Sequence, residues 1–285
     1  GTLEVTQKAV TITADSDTKI YDGTALTKDS YTNSALATGD RIESVTVTGS
    51  QTVVGSSENV PSDAVIMDGE EDVTDNYTID YDNGELEVTP TTRELRIVAN
   101  SNSWQYDSEI HSDGGYTVTY GDESYTVAAG GSATLSTGDV VTATITKTVK
   151  NVSETAEGNN EIVNLVVDNQ SQYSNIVTVA GTLTITPRPV TITADSDSKE
   201  YDGTPLTKNS YTNTTLAAGD VIESVTVTGS ITEVDTVANV PSDAVIMDGE
   251  ENVTANYTIT YVNGTLAVTP TTRELRIVAN SNSWQ

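Results

Sequence analysis

The stretch Val10-Thr-Ile-Thr-Ala-Asp-Ser-Asp-Thr-Lys-Ile-Tyr-Asp-Gly23 decides the fold, because the chain writes it three times. It returns nearly unchanged as Val190-Thr-Ile-Thr-Ala-Asp-Ser-Asp-Ser-Lys-Glu-Tyr-Asp-Gly203. A looser copy lies between them and reads Leu95-Arg-Ile-Val-Ala-Asn-Ser-Asn-Ser-Trp-Gln-Tyr-Asp-Ser108. Self-similarity at a fixed offset is the mark of a repeat array. Residues 1–105 and 181–285 align without a gap, and about 80 of the 105 pairs are identical. Within the stretch, Val10, Ile12 and Ala14 alternate with Thr11, Thr13 and Asp15, the period of a half-buried strand.

Working outward, three modules are expected, at 7–89, 91–187 and 188–269. Residues 1–6 copy 181–186, the last strand of the middle module, and 270–285 copy the start of that module. They are therefore read as the ends of a truncated preceding and a truncated following module. Val45 with Val47, and Val65 with Met67, mark further strands. Asn83-Gly84 is the preferred pair for a two-residue type I′ turn and predicts a hairpin in which Tyr81 faces Leu86 and Ile79 faces Val88. Ala180-Gly181 and Asn263-Gly264 predict the same. The extra length of the middle module, around Tyr120-Gly-Asp-Glu-Ser-Tyr125, predicts an added hairpin. The periodic segments are dominated by Thr, Val, Ile and Tyr, and no helix is expected. The fold class is all-β, a tandem array of small antiparallel modules, sandwich-like or β-grasp-like. Short joints carrying Pro90, Pro187 and Pro189 predict a stiff line of modules.

The formal charge is −29, from 42 acidic and 13 basic residues. Such a surface repels phosphate, which argues against nucleic acid and anionic lipid as partners. No cysteine is present, so disulfides and thiolate metal sites are excluded. No apolar run approaches membrane-spanning length.

The pattern Lys19-Ile-Tyr-Asp-Gly-Thr-Ala-Leu-Thr27, then Gly39-Asp40, Asn76-Tyr-Thr-Ile79 and Asn83-Gly-Glu-Leu-Glu-Val-Thr89 resembles the YDG/MBG-type repeats of bacterial cell-surface adhesins and filamentous haemagglutinin-like proteins. The resemblance spans all three modules, and the middle one departs from it at Ser108, where the others have glycine. It implies a β-rich module in a stiff extended stalk or fibre outside the cell, anchored to the wall or envelope through other regions. Its partners would be neighbouring repeats or other copies of itself, with host or environmental glycans or proteins reached through regions beyond this segment. It implies no catalytic residues, and none are expected. The alternatives are a glycan- or protein-binding module, or a self-assembling extracellular fibre subunit.

Candidate chemistry is sparse. His111 is the single histidine, in a polar stretch. Asp15, Asp17 and Asp22 lie close together, as do Asp68 and Asp72, and hard cations such as calcium need several oxygens at once. Against a calcium site, the copies are unfaithful: Asp15 and Asp17 become Asn100 and Asn102, and Asp72 becomes Asn252. A Lys–Asn isopeptide bond would draw on Lys19 or Lys28 with Asn76 or Asn83, but Trp104 replaces Lys19 in the middle module. Trp104 and Trp284 are equivalent positions and, with Tyr106, are the candidates for stacking on a sugar or partner; the competing role is packing.

Overall fold

The computed structural model describes residues 1–282. The first repeat forms β1 (Lys8–Ala14), β2 (Asp17–Ile20), β3 (Tyr31–Asn33), β4 (Asp40–Thr48), β5 (Gly55–Asp68), β6 (Glu71–Asp72), β7 (Tyr77–Asp82) and β8 (Gly84–Thr89). The alternation in β1 is realised, with Val10, Ile12 and Ala14 buried. β1 sits between antiparallel β3 and parallel β7. β2 belongs to a second sheet of order β2-β8-β5-β4. The β1–β7 register runs from Lys8↔Tyr77 to Thr13↔Asp82, and the β2–β8 register from Asp17↔Leu86 to Ile20↔Thr89. The sequence separation of the partners is the same in both registers, so no residue is gained or lost between them. Two chain segments therefore run side by side in parallel and change sheets together, at Asp15-Ser16 and at Asn83.

This arrangement corrects the hairpin expected at Asn83-Gly84, since β7 and β8 do not pair with each other. Neither Asn83 nor Gly84 has a positive φ, so no type I′ turn forms. Glycine is needed at 84 for a different reason. A Cβ there would stand 2.5 Å from Asp15 O and 2.6 Å from Ala14 O, because the two crossing backbones touch. The same holds at Gly181, 2.0 Å from Asn100 O, and at Gly264, 2.4 Å from Asp195 O. The modules consequently mix parallel with antiparallel pairing.

The middle repeat forms β9 (Leu95–Ala99), β10 (Asn102–Gln105), β11 (His111–Ser112), β12 (Tyr116–Tyr120), β13 (Glu123–Val127), β14 (Ala133–Thr134), β15 (Val140–Ile145), β16 (Thr148–Val149), β17 (Ile162–Val167), β18 (Ile176–Val179) and β19 (Leu183–Thr186). Here β12, β9 and β18 reproduce β3, β1 and β7. The added hairpin is present as β12–β13, turning at Gly121 (φ 59°), and it extends that sheet at its edge. The third repeat, β20 (Arg188–Ala194), β21 (Asp197–Glu200), β22 (Tyr211–Asn213), β23 (Asp220–Thr228), β24 (Thr236–Asp248), β25 (Glu251–Asn252), β26 (Tyr257–Val262) and β27 (Gly264–Thr269), repeats the first strand for strand. The chain is all-β, and its helical residues are short 3-10 turns. Among the described residues no helix is long and apolar enough to cross a membrane.

The chain packs as two compact units, and their limits do not follow the repeat boundaries. One comprises residues 1–100, 114–146 and 160–181; the other comprises 101–113, 147–159 and Thr182 onward. In the first unit, Tyr21, Leu86 and Val88 of the first repeat share a cluster with Leu95, Ile97 and Tyr116 of the middle one. In the second, Tyr106, Leu183 and Ile185 of the middle repeat share a cluster with Val190, Ile246 and Tyr257 of the third. Each fully buried Leu or Ile contributes roughly 1.5–3 kcal/mol. The cores thus straddle the joints Thr89–Leu95 and Thr186–Val190, whose own residues are mostly exposed apart from Thr91 and the two ends Leu95 and Val190.

Residues 1–6 and 270–282 form no strand. Leu3 and Val5 are 103% and 97% exposed, whereas their copies Leu183 and Ile185 are 0% and 2% exposed. Leu275 and Ile277 stand open likewise, against buried Leu95 and Ile97.

Candidate functional site

The Tyr-Asp-Gly motif that ends the repeated stretch is where one repeat grips the next. In the first unit β2 delivers Tyr21 into the shared core, held by its amide hydrogen bond to Thr89 O. Its hydroxyl donates to Asp139 Oδ2 at 2.8 Å. The same oxygen accepts from Tyr173 Oη at 2.6 Å and Thr137 Oγ1 at 3.1 Å, and Asn169 Nδ2 donates to Oδ1 at 2.7 Å. Asp139 is 4% exposed, and these donors together offset the cost of keeping a carboxylate in the interior. Burial alone would raise its pKa; the bonds from Tyr173, Asn169, Tyr21 and Thr137 outweigh that and hold it below the usual range. The Tyr21 phenol is pushed up to about 12, by burial first and then by the Asp139 bond and charge. Tyr173 is pushed up for the same reasons. At neutral pH the joint is one carboxylate with two neutral phenols donating to it. The rings of Tyr21 and Tyr120 both meet Tyr173 edge-on, at 6.0 and 5.7 Å.

The other two letters of the motif have local work. Asp22 Oδ1 accepts from the Thr24 amide, Thr24 Oγ1 and Lys19 Nζ, each at 2.8 Å. The lysine bond, then the threonine bonds, lower its pKa to about 2. Gly23 has φ 82°, and a Cβ there would stand 2.1 Å from Thr137 O. Beside the joint a cleft of about 440 Å³ is lined by Tyr21, Asp22, Thr91, Arg93, Tyr120 and Thr137 among others. Arg93 lies over the Tyr120 ring at 5.2 Å.

The second unit holds the counterpart. Tyr106 is 0% exposed and meets Tyr257 edge-on at 5.4 Å. Tyr257 Oη donates to Asp220 Oδ2 at 2.6 Å and accepts from the Ala217 amide at 3.0 Å. Burial and then the Asp220 bond raise Tyr257. Ser108 takes the place of glycine with φ 71°, and its hydroxyl donates to Asp248 Oδ2 at 3.0 Å. Lys150 pairs with the same carboxylate at 2.8 Å, and Asn151 and Val152 bond Asn256.

No protein-family model matches this chain, and no curated protein is significantly similar to it.

The sequence-derived candidates fall in separate places. Asp15 accepts from Ser30 Oγ at 2.5 Å, Asp17 lies 3.6 Å from Lys28, and Asp22 serves its own turn. Asp72 accepts from Thr74, and Asp68 ends β5. Among the described residues no three His, Cys, Asp or Glu side chains converge as metal ligands. Lys19 and Lys28 pair with aspartates, and neither pairs with Asn76 or Asn83. Trp104 is half-buried and stacks on His111 at 4.7 Å; His111 Nε2 lies 2.9 Å from Asp107. Tyr106, read as a possible stacking surface, is fully buried and offers no face to a ligand. Trp284 lies outside the described residues. Sequence reasoning missed Asp139, Tyr173, Asp220 and Tyr257. The available signal was the recurrence of Gly-Asp at 39–40, 138–139 and 219–220.

Proposed function

We propose that this chain is a structural repeat segment of an extended extracellular protein of the bacterial cell surface, similar to the YDG/MBG-type stalks. It acts by holding successive repeats in a fixed order and carries no catalytic centre of its own. The observation that supports this reading is the Tyr21–Asp139–Tyr173 joint. It buries the motif tyrosine of one repeat against a carboxylate of the next, 118 residues away. A short joint whose flanking strands share one core resists bending where a Gly/Ser tether would not. The excess of 29 negative charges keeps such a molecule from self-association and from polyanions. Small-angle scattering of the 285-residue chain tests the reading. A stalk segment gives the cross-section and length of a rod, and a compact globular particle would contradict it.

A further inference from the structure

The first repeat carries the same docking face that the third repeat has filled. In the third repeat, the face built from Ala217, Asp220, Asp248, Val253, Asn256 and Tyr257 is covered by residues 101–113, 147–159 and 182–187 of the middle repeat. Tyr106 sits on Tyr257, Lys150 on Asp248, and Asn151 on Asn256. Ala217, Val253 and Asn256 are buried there. The first repeat keeps every one of these residues, as Ala37, Asp40, Asp68, Val73, Asn76 and Tyr77. It also keeps the internal geometry: Tyr77 Oη donates to Asp40 Oδ2 at 2.5 Å and accepts from the Ala37 amide at 2.9 Å. Yet Ala37 and Asn76 are exposed and Val73 is only half-buried. A groove of about 530 Å³ opens beside Ala37, Asp40, Asn76 and Tyr77, reaching Val5 and Thr6.

What fills the equivalent face also says what belongs in this one. Leu183 and Ile185 of β19 are part of the cover in the second unit. Residues 1–6 copy β19, and their Leu3 and Val5 stand in solvent. The first repeat thus presents an open face, a copy of the strand that covers that face in the second unit and, in Asp68, the counterpart of the carboxylate that pairs with Lys150 there.

We propose that the Ala37–Asp40–Asn76–Tyr77 face is a socket for the closing half of a middle-type repeat. That half supplies a tyrosine at the Tyr106 position to Tyr77 and an ammonium at the Lys150 position to Asp68, with residues 1–6 as its last strand. This rests on reading the chain as part of an array, and it names which repeat kind each end accepts.

The test extends the full chain ahead of Gly1 with a copy of residues 91–180, and compares amide hydrogen exchange with the unextended chain. Exchange at Ala37, Val73 and Asn76 should slow about tenfold or more, toward the rates of Ala217, Val253 and Asn256. The copied Tyr106 segment should become protected at the same time. Lys150→Ala in the appended copy, a partly exposed position, should return part of the protection at the socket. The proposal is overturned if the socket amides do not change, or if the copied segment stays unprotected. It is also overturned if the unextended chain protects its socket with rising concentration, which would make a second copy the occupant. Scattering on both chains keeps the outcomes apart: rods with an unchanged socket would sink this proposal alone.

Discussion

Tyr21→Phe removes one hydroxyl and leaves the ring, so it isolates the bond to Asp139 from the packing around it. A hydrogen bond to a buried charge contributes about 1.5–3 kcal/mol. Asp139 keeps three other donors, Tyr173, Thr137 and Asn169, so the lower part of that range applies. The expected loss is about 1.5–2 kcal/mol, or more than tenfold in the folding equilibrium of the first unit. In urea that corresponds to a midpoint shift of about 1 M. Tyr201 provides the control. It occupies the same motif in a nearly identical repeat, but it is 39% exposed and its hydroxyl makes no hydrogen bond among the described residues. Tyr201→Phe should change stability by no more than about 0.5 kcal/mol. Because two units need not unfold together, the midpoints should be followed by amide exchange at Ile97 and Val141 for the first and at Ile246 for the second. Equal effects from the two substitutions, or a Tyr21→Phe midpoint within error of the parent, would refute the assignment of Asp139 as the anchor.

Further expectations concern the same structure. The first unit should hold full stability from about pH 5 to about pH 9 and lose it on both sides. Tyr21 has a folded pKa raised to about 12, so its contribution is complete below the unfolded value of about 10 and disappears as pH rises through 12. Asp139 is held low, so its contribution is present above about 3.9 and is lost as pH falls below that. A urea midpoint constant between about pH 9 and about pH 12 would contradict the first half of this. Gly181→Ala should destabilise by about 2–4 kcal/mol, since a Cβ would overlap Asn100 O, whereas Gly138→Ala, with open space around it, should cost only about 1 kcal/mol for its left-handed backbone. Thermal melts of the two variants should separate clearly, and a reversed order would disprove the close crossing. Calcium at millimolar concentration, or its removal with a chelator, should move the melting temperature by less than about 1 °C, because the acidic side chains are dispersed. A larger shift would reveal a site that the described carboxylates do not form.

The strand-forming alternation of Val10, Ile12 and Ala14 was legible because it is a local, period-two signal. The inserted hairpin was legible because Gly121 supplies a left-handed turn between two alternating runs. Asn83-Gly84 misled for a physical reason. The dipeptide is compatible with a tight turn, but what requires the glycine is a pair of carbonyls belonging to Ala14 and Asp15, far away in sequence. The joint was hidden for the same reason. Tyr21 finds its partner 118 residues later, in another repeat, and nothing near Tyr21 announces Asp139. The absence of phenylalanine favoured a packing role for Trp104, which is half-buried against His111, whereas Tyr106, read as a stacking candidate, lies in the core.

The cores that straddle the repeat joints set a rule for how such a gene can grow. Each joint matches a closing half of one kind with an opening half of the other, as Tyr21 with Asp139 and Tyr106 with Tyr257. Copying one repeat alone would bring together halves of the wrong kind and leave mismatched tyrosines and carboxylates in a dry interior. Copying a consecutive pair preserves every pairing. Duplication and deletion should therefore proceed in steps of two repeats, and recombination between paralogous stretches should be tolerated only in that phase. The sequence bears that signature: identity is high between the first and third repeats and faint between either of them and the middle one. The inheritable module is the pair, even though the eye, and the motif, count singles.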